Sequence, residues 1–355
     1  MSRFLNEKYS SLKPYVPGEQ PQDMPRLIKL NTNESPFPPS KKVLEVITPE
    51  QSSRLRLYSD PECRPLTDMI AKFYKVMPSN VITGNGSDEI LSFCFQAFCP
   101  NGAVFADITY GFYKVFAQFY GIDAQIIPLR DDFTIEVDDY AQATGTVFIA
   151  NPNAPTGIAL TLDKIERLLK QNPERLVIVD EAYVDFGAQS AVELLPYYSN
   201  LLIVQTFSKS RSLAGARLGF AIGSDELIAD LNKMKFSFNP YNVNRLSILA
   251  GAAAMADVKY FDSCRKEIMA IREYTVAQLK CLGFTVPNSS TNFIFAGYPE
   301  RFSGQAYYDF LRSRGILVRH FGEPRTTDFV RITVGLRSDM DEFLSVTSEF
   351  LEGIE

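Results

Sequence analysis

Five short apolar runs, GAVFA, AQIIPL, GTVFIA, LVIVDEAY and LLIVQTF, recur between residues 102 and 207 with helical segments between them. A sheet with one wet face alternates apolar and polar residues, whereas runs apolar throughout need cover on both faces. The alternation therefore predicts an α/β domain with a mostly parallel sheet over residues 45–257, with NVIT, residues 80–83, as a further short strand. After ILAGAAAMADV the pattern becomes α+β. A long helical stretch leads to TNFIFAG, a helix near 303–314, GILVRHFG, FVRITVG and a last helix, which places a smaller second domain at residues 258–355. Residues 1–44 are rich in proline and asparagine, end near LNTNESPFPPS, and are expected to form an irregular arm packed on the small domain.

Composition narrows the function by exclusion. The 355 residues carry a net charge of −6 without a long basic run, so neither nucleic acid nor an anionic membrane surface is an expected partner. The five cysteines (Cys63, Cys94, Cys99, Cys264 and Cys281) form no Cys-x-x-Cys pair, and the one histidine is His320, so zinc-ligand spacing is absent and no metal is expected. They read as reduced thiols of a cytoplasmic protein. The amino terminus lacks the apolar core of a signal peptide, and no apolar stretch reaches the ~18 residues of a membrane span.

In open parallel sheets, ligands bind beyond the carboxyl ends of the strands. In TGNGSDE, Gly84 and Gly86 allow close backbone approach, and Ser87 and Asp88 would open a helix whose free N–H groups suit a phosphate. A plain helix cap reads equally well there. Tyr110, in ITYGFY, could cover a planar ligand or simply pack. Asp180 ends the run VIVD, where a carboxylate needs a cation or good hydrogen bonds. That partner could be a ligand, a structural ion pair or magnesium, and Tyr183 could reach the same place. In TFSKSRSLAGARLGF, Lys209 lies between Ser208 and Ser210, and Arg217 follows eight residues later. An enclosed lysine has a lowered amine pKa, which favours carbonyl chemistry, and the serines and the arginine suit an anion. The alternative is a solvated basic loop.

NPNAPTG, VIVDEAYVDF and TFSKSRSLAGARLGF, in this order and spacing, resemble the pyridoxal-phosphate aminotransferases of the aspartate aminotransferase fold. With LNTNESPFPPS, LYSDPE, TGNGSDE, ITYGFY, GILVRH and FVRITVGLR, the chain is most similar to the histidinol-phosphate aminotransferase branch from about residue 12 to about residue 350. The resemblance implies that Lys209 condenses with the cofactor aldehyde and moves protons, that Asp180 pairs with the pyridine nitrogen, that Tyr183 hydrogen-bonds the ring oxygen O3′, and that Tyr110 stacks on the ring. It further implies that Ser87, Asp88, Thr206, Ser208 and Arg217 hold the cofactor phosphate, joined by Tyr58 of a neighbouring subunit, and hence a homodimer with shared active sites. Arg331 and Arg319 would bind substrate anions, with Tyr15 and Asn33, beside Glu34, closing over them. Edge-strand charges are the structural alternative for the two arginines.

Two positions depart from the family pattern. Ile108 stands where proline is usual, and Ala154 where the family has an asparagine bonded to O3′. Asn151 or Asn153 is the expected replacement for that donor. The implied reaction moves an amino group between L-histidinol phosphate and 2-oxoglutarate, a step of histidine biosynthesis. Alternatives on the same fold are an aromatic or other amino-acid aminotransferase, a phosphothreonine-type decarboxylase, and a cofactor-binding protein that no longer transaminates.

Overall fold

The structure, a computed structural model, describes residues 2–20, 27–298 and 300–354. Its strands, in chain order, are β1 (Ile28–Lys29), β2 (Val81–Gly84), β3 (Ala103–Ala106), β4 (Ala124–Ile127), β5 (Thr146–Ala150), β6 (Val177–Asp180), β7 (Leu201–Thr206), β8 (Gly219–Ile222), β9 (Phe293–Gly297), β10 (Ile316–Leu317), β11 (Arg319–His320) and β12 (Phe329–Thr333). Strands β2 to β8 form one seven-stranded sheet in the order β2-β8-β7-β6-β5-β3-β4. All neighbours from β7 to β4 pair in parallel, and only β8 runs against both its neighbours.

Every residue of β3, β5, β6 and β7 is buried, and their side chains divide strictly between two cores. Val104, Val147, Ile149, Val177, Val179, Leu201 and Ile203 face one hydrophobic cluster, while Phe105, Phe148, Ile178, Leu202 and Val204 face the other. This period-two division explains why the runs are apolar throughout: both faces lie under helices. Strand β4 differs, with Ala124, Gln125 and Ile126 exposed, because it is the sheet edge and has cover on one side only.

The carboxyl-terminal part builds on the antiparallel sheet β11-β12-β9, backed by helices Val258–Cys281, Gly304–Ser313 and Arg337–Gly353. The stretch GILVRH divides in two: Ile316 and Leu317 pair in parallel with Ile28 and Lys29 of the arm, and Arg319 turns away to pair with Arg331. Leu30, 2% exposed, enters the small-domain core, a burial that contributes about 1.5–3 kcal/mol. The arm thus docks on the carboxyl-terminal part by a strand pair and an apolar anchor, then continues toward the carboxyl ends of the large sheet.

Candidate active site

Register fixes the centre of the site. Ala150, Asp180 and Val204 are neighbours across β5, β6 and β7, so β5 and β6 end level with each other while β7 runs on two residues to Thr206. Beyond those ends lies a cavity of about 830 Å³, lined among others by Asp180, Tyr183, Lys209, Arg217, Arg319 and Arg331. Ser87, Asp88, Tyr110, Thr206, Ser208, Tyr15 and Asn33 also line it. Arm, strand ends and small domain, far apart in the chain, meet here.

Asp180 is 3% exposed and receives hydrogen bonds from Tyr113 Oη (2.9 Å) and the Ala182 N–H (3.2 Å). No cation of the described residues pairs with it, and burial raises its carboxyl to about 6. The charge demanded by this carboxylate is therefore one that a ligand can bring. Glu181, next in the chain, turns away: Ser190 Oγ, the Ala191 N–H and Gln205 Nε2 donate to it, and its role is to tie two loops to the sheet.

Lys209 follows β7 in a turn closed by bonds from the Leu213 N–H to Phe207 O (3.1 Å) and from the Ser212 N–H to Lys209 O (3.3 Å). Its ammonium donates to Thr32 O at 3.1 Å and lies 5.8 Å from the Tyr183 ring centre. Burial, assisted by the nearby Arg331 charge, lowers its pKa to about 8, where a neutral amine is available.

An anion cradle lies at the start of helix Ser87–Phe98, which no side chain caps. Gly86 takes φ +81, and a Cβ there would stand 2.7 Å from Arg217 Nη2; a Cβ on Gly219 would stand 2.3 Å from Ser87 N. Both glycines therefore let backbone and guanidinium converge on the free helix end. Ser208 and Thr206 flank it, their hydroxyl oxygens 3.0 Å apart, and Arg217 and Tyr110 both donate to the Asp88 carboxylate, at 3.2 and 2.7 Å.

The opposite wall comes from the small domain and the arm. Arg319 donates to Val16 O (2.9 Å) and Pro17 O (3.3 Å), and Arg331 to Asn31 O (3.3 Å). Arg331 Nε is buried without a hydrogen-bond partner among the described residues, and burial lowers that guanidinium's pKa. Neither arginine is neutralised by a carboxylate of the described residues, so the pair keeps its capacity for an anion. Tyr15 stacks on Phe112, ring centres 4.3 Å apart, at the mouth. Glu34 pairs with Lys29 and accepts from Thr32 Oγ1 at 2.7 Å.

Two expectations, for Asn153 and Asn151, meet a different arrangement. Asn153, expected at the cofactor, does not line the cavity: its amide donates to Ile108 O and Thr156 Oγ1 at 3.0 Å each and accepts from Thr109 Oγ1 at 2.9 Å. Asn151 is likewise spent on Leu160, and the loop meets the cavity through Pro152, Ala154 and Pro155, none of which carries a side-chain donor. Tyr58 stands outside its own chain's cavity, 79% exposed and stacked on Tyr241 at 4.4 Å. Ile108, in the usual proline position, packs in a core cluster. Sequence reasoning missed Tyr113 on Asp180 and Asn33 on Tyr183, pairs 67 and 150 residues apart that no local pattern announces.

A sequence model of the class I and II aminotransferases matches residues 25–346. The chain belongs to this family. Among its relatives, the histidinol-phosphate aminotransferase of Clostridium acetobutylicum is 47% identical over 98% of this chain and 99% of its own, and that of Marinomonas sp. is 51% identical over 96% and 97%. The crystal structure of the histidinol-phosphate aminotransferase from Clostridium acetobutylicum superposes with a TM-score of 0.85 at 25% identity, over 92% of this chain and 100% of the other. The fold is also that of the enzyme from Sinorhizobium meliloti in complex with pyridoxal-5′-phosphate, with a TM-score of 0.84 over 92% of both chains. The protein is a pyridoxal-phosphate-dependent transaminase, and the cavity fits that cofactor: an uncompensated buried carboxylate, an enclosed amine and a free helix end converge in it.

Proposed function

We propose that the enzyme moves the amino group of L-histidinol phosphate to 2-oxoglutarate, as in histidine biosynthesis, and that the residues converging on the cavity carry the reaction. The observation behind this reading is the pair of uncompensated arginines, Arg319 and Arg331, lining one cavity with the enclosed amine of Lys209. A phosphate and a carboxylate each present at least two oxygens to a guanidinium, so one arginine pair can serve both half-reactions.

Pyridoxal phosphate supplies an electron sink that stabilises negative charge on the substrate carbon. Lys209, with its pKa of about 8, would hold the cofactor and take and return the proton at the substrate carbon. Asp180 would pair with the pyridine nitrogen, and Tyr113 keeps that carboxylate in place. Tyr183 would donate to the ring oxygen, and Tyr110 would pack against the ring. Ser87, Asp88, Thr206, Ser208 and Arg217 would hold the phosphate. Tyr15 at the mouth and Asn33 in the arm restrict water.

Residues 45–257 form the cofactor domain, 258–355 the small domain, and the arm completes the latter. The exposed Tyr58, stacked on Tyr241 amid exposed Leu55 and Leu57, supports a homodimer in which each Tyr58 reaches the phosphate of the other subunit. Among the described residues no helix is long and apolar enough to cross a membrane, in keeping with a cytoplasmic enzyme acting on small molecules.

The test is a half-reaction. L-Histidinol phosphate added to the cofactor-loaded enzyme should bleach its visible band, and 2-oxoglutarate should restore it. Phenylalanine and threonine phosphate, substrates of the rival activities, should act at least about tenfold more slowly. Faster bleaching by either, or none by L-histidinol phosphate, would refute the assignment.

A further inference from the structure

A tyrosine hydroxyl donates one hydrogen and accepts through its lone pairs. Asn33 Nδ2 donates to Tyr183 Oη at 2.9 Å, which leaves the hydroxyl hydrogen for another acceptor. Among the described residues no hydrogen bond takes up that hydrogen, and Tyr183 lines the cavity.

The direction of the bond is set by the neighbours of Asn33. Its backbone N–H donates to Thr333 Oγ1 at 2.9 Å, and that hydroxyl in turn donates to Asn33 Oδ1 at 3.1 Å. The oxygen end of the amide is thereby committed, and the NH₂ end faces Tyr183. Asn292 Nδ2 donates to Asn33 O at 3.0 Å, and Asn33 is 1% exposed with φ 56, a left-handed conformation that asparagine tolerates. Backbone and side chain are both held, and in this arrangement the Nδ2 end of the amide faces Tyr183.

Its neighbours make the same kind of contact. Asn31 O receives Arg331 and Thr32 O receives Lys209, so three consecutive arm residues each hold one of the cavity's polar side chains. The asparagines of the loop after β5 do not share this work: Asn151 and Asn153 are spent on their own surroundings, and Ala154 has nothing to donate.

We propose that Asn33 is a positioning residue: by donating to Tyr183 it turns the tyrosine hydrogen into the cavity and makes Tyr183 an obligatory donor toward the anionic ring oxygen of the cofactor. This moves Asn33 from a substrate contact to a role exerted through Tyr183, and it rests on the cofactor placement proposed above.

The test titrates the visible band of the cofactor-loaded enzyme against pH, in wild type, Asn33→Gly, Tyr183→Phe and the double variant. Glycine accepts the left-handed backbone, removes the amide and adds no charge. A donor to an anionic oxygen favours the anion, so its loss should raise the midpoint of the titration by roughly half to one pH unit and weaken cofactor binding about three- to tenfold. Once Tyr183→Phe has removed the hydroxyl, adding Asn33→Gly should have no further effect, since residues acting through one contact are non-additive. Asn33→Asp, which puts an acceptor in place of the donor, should raise the midpoint further. An Asn33→Gly enzyme that titrates like wild type, or a shift of equal size when Tyr183→Phe is already present, overturns the proposal. A wild-type protein that forms no visible band with pyridoxal phosphate would instead overturn the cofactor placement.

Discussion

The two walls of the cavity are built on opposite principles. On the large-domain side, the functional groups sit at the ends of strands whose every residue is buried, and each is held by a specific partner: Tyr113 holds Asp180, and the Gly86–Ser87 turn shapes the anion cradle. On the other side, Arg319 and Arg331 donate to backbone carbonyls of the arm, and Arg331 Nε has no hydrogen-bond partner among the described residues. Carbonyl partners orient a guanidinium without neutralising it. One wall therefore keeps a buried carboxylate and a free helix end, both fixed in place, whereas the other keeps positive charge for an anion. The first suits a resident cofactor and the second a substrate that must come and go.

Removing Lys209 should do the most damage. Lys209→Ala is expected to abolish the visible band and to lower turnover by at least about 10³–10⁴-fold, because both attachment and proton transfer are lost. An absorbance spectrum and a steady-state assay check this, and retention of the band would place the attachment elsewhere. Asp180→Asn comes next. Breaking a buried charge pair costs about 3–5 kcal/mol, and that loss should appear mainly as weakened cofactor affinity in an equilibrium titration. Unaltered affinity would mean that Asp180 does not meet the pyridine nitrogen.

The other wall should respond in a different parameter. Arg331→Lys keeps the charge but loses the fork, so KM for both substrates should rise about 10- to 100-fold while the spectrum of the loaded enzyme is unaltered. A spectral change without a KM effect would reverse the division between the walls. The smallest effect is on pH dependence. Lys209 is protonated below its pKa of about 8, so the rate at which cofactor-free protein takes up pyridoxal phosphate should climb as pH rises through that value and then level off. Because the Arg331 charge helps to lower that pKa, Arg331→Met should move the climb to higher pH. A profile that stays flat as pH passes through about 8 would show that the amine is not the limiting group.

The two walls also differ in how much of them the sequence exposes. The sheet could be read from its apolar runs, because burial on both faces leaves a local compositional mark. Asp180, Lys209 and Arg217 could be read from the improbability of charge at strand ends, and their roles from a resemblance spanning most of the chain. The second wall left weaker marks. Arg319 and Arg331 read equally well as edge-strand charges, because the arm that covers them lies 300 residues away in sequence. GILVRH looked like one strand but serves two sheets, a division decided by the arm pairing with Ile316 and Leu317. Asn153 looked like the natural substitute for the missing amide because it neighbours Ala154; its commitment to Ile108 and Thr156 emerges only in three dimensions. Local chemistry is legible in sequence, whereas partners drawn from distant segments are not.

The division between the walls is tested most directly by comparing kcat/KM for L-histidinol phosphate and for L-histidinol. The two share the amine and the imidazole and differ only in the anion that Arg319 and Arg331 would grip. At least about a 100-fold preference for the phosphorylated donor is expected, since an arginine pair left without its anion forfeits charge-assisted hydrogen bonds worth about 1.5–3 kcal/mol each. Arg331→Lys should remove most of that preference while the reaction with L-histidinol changes little. Equal kcat/KM for the two donors in the wild-type enzyme would contradict an arginine wall that waits for the substrate's anion.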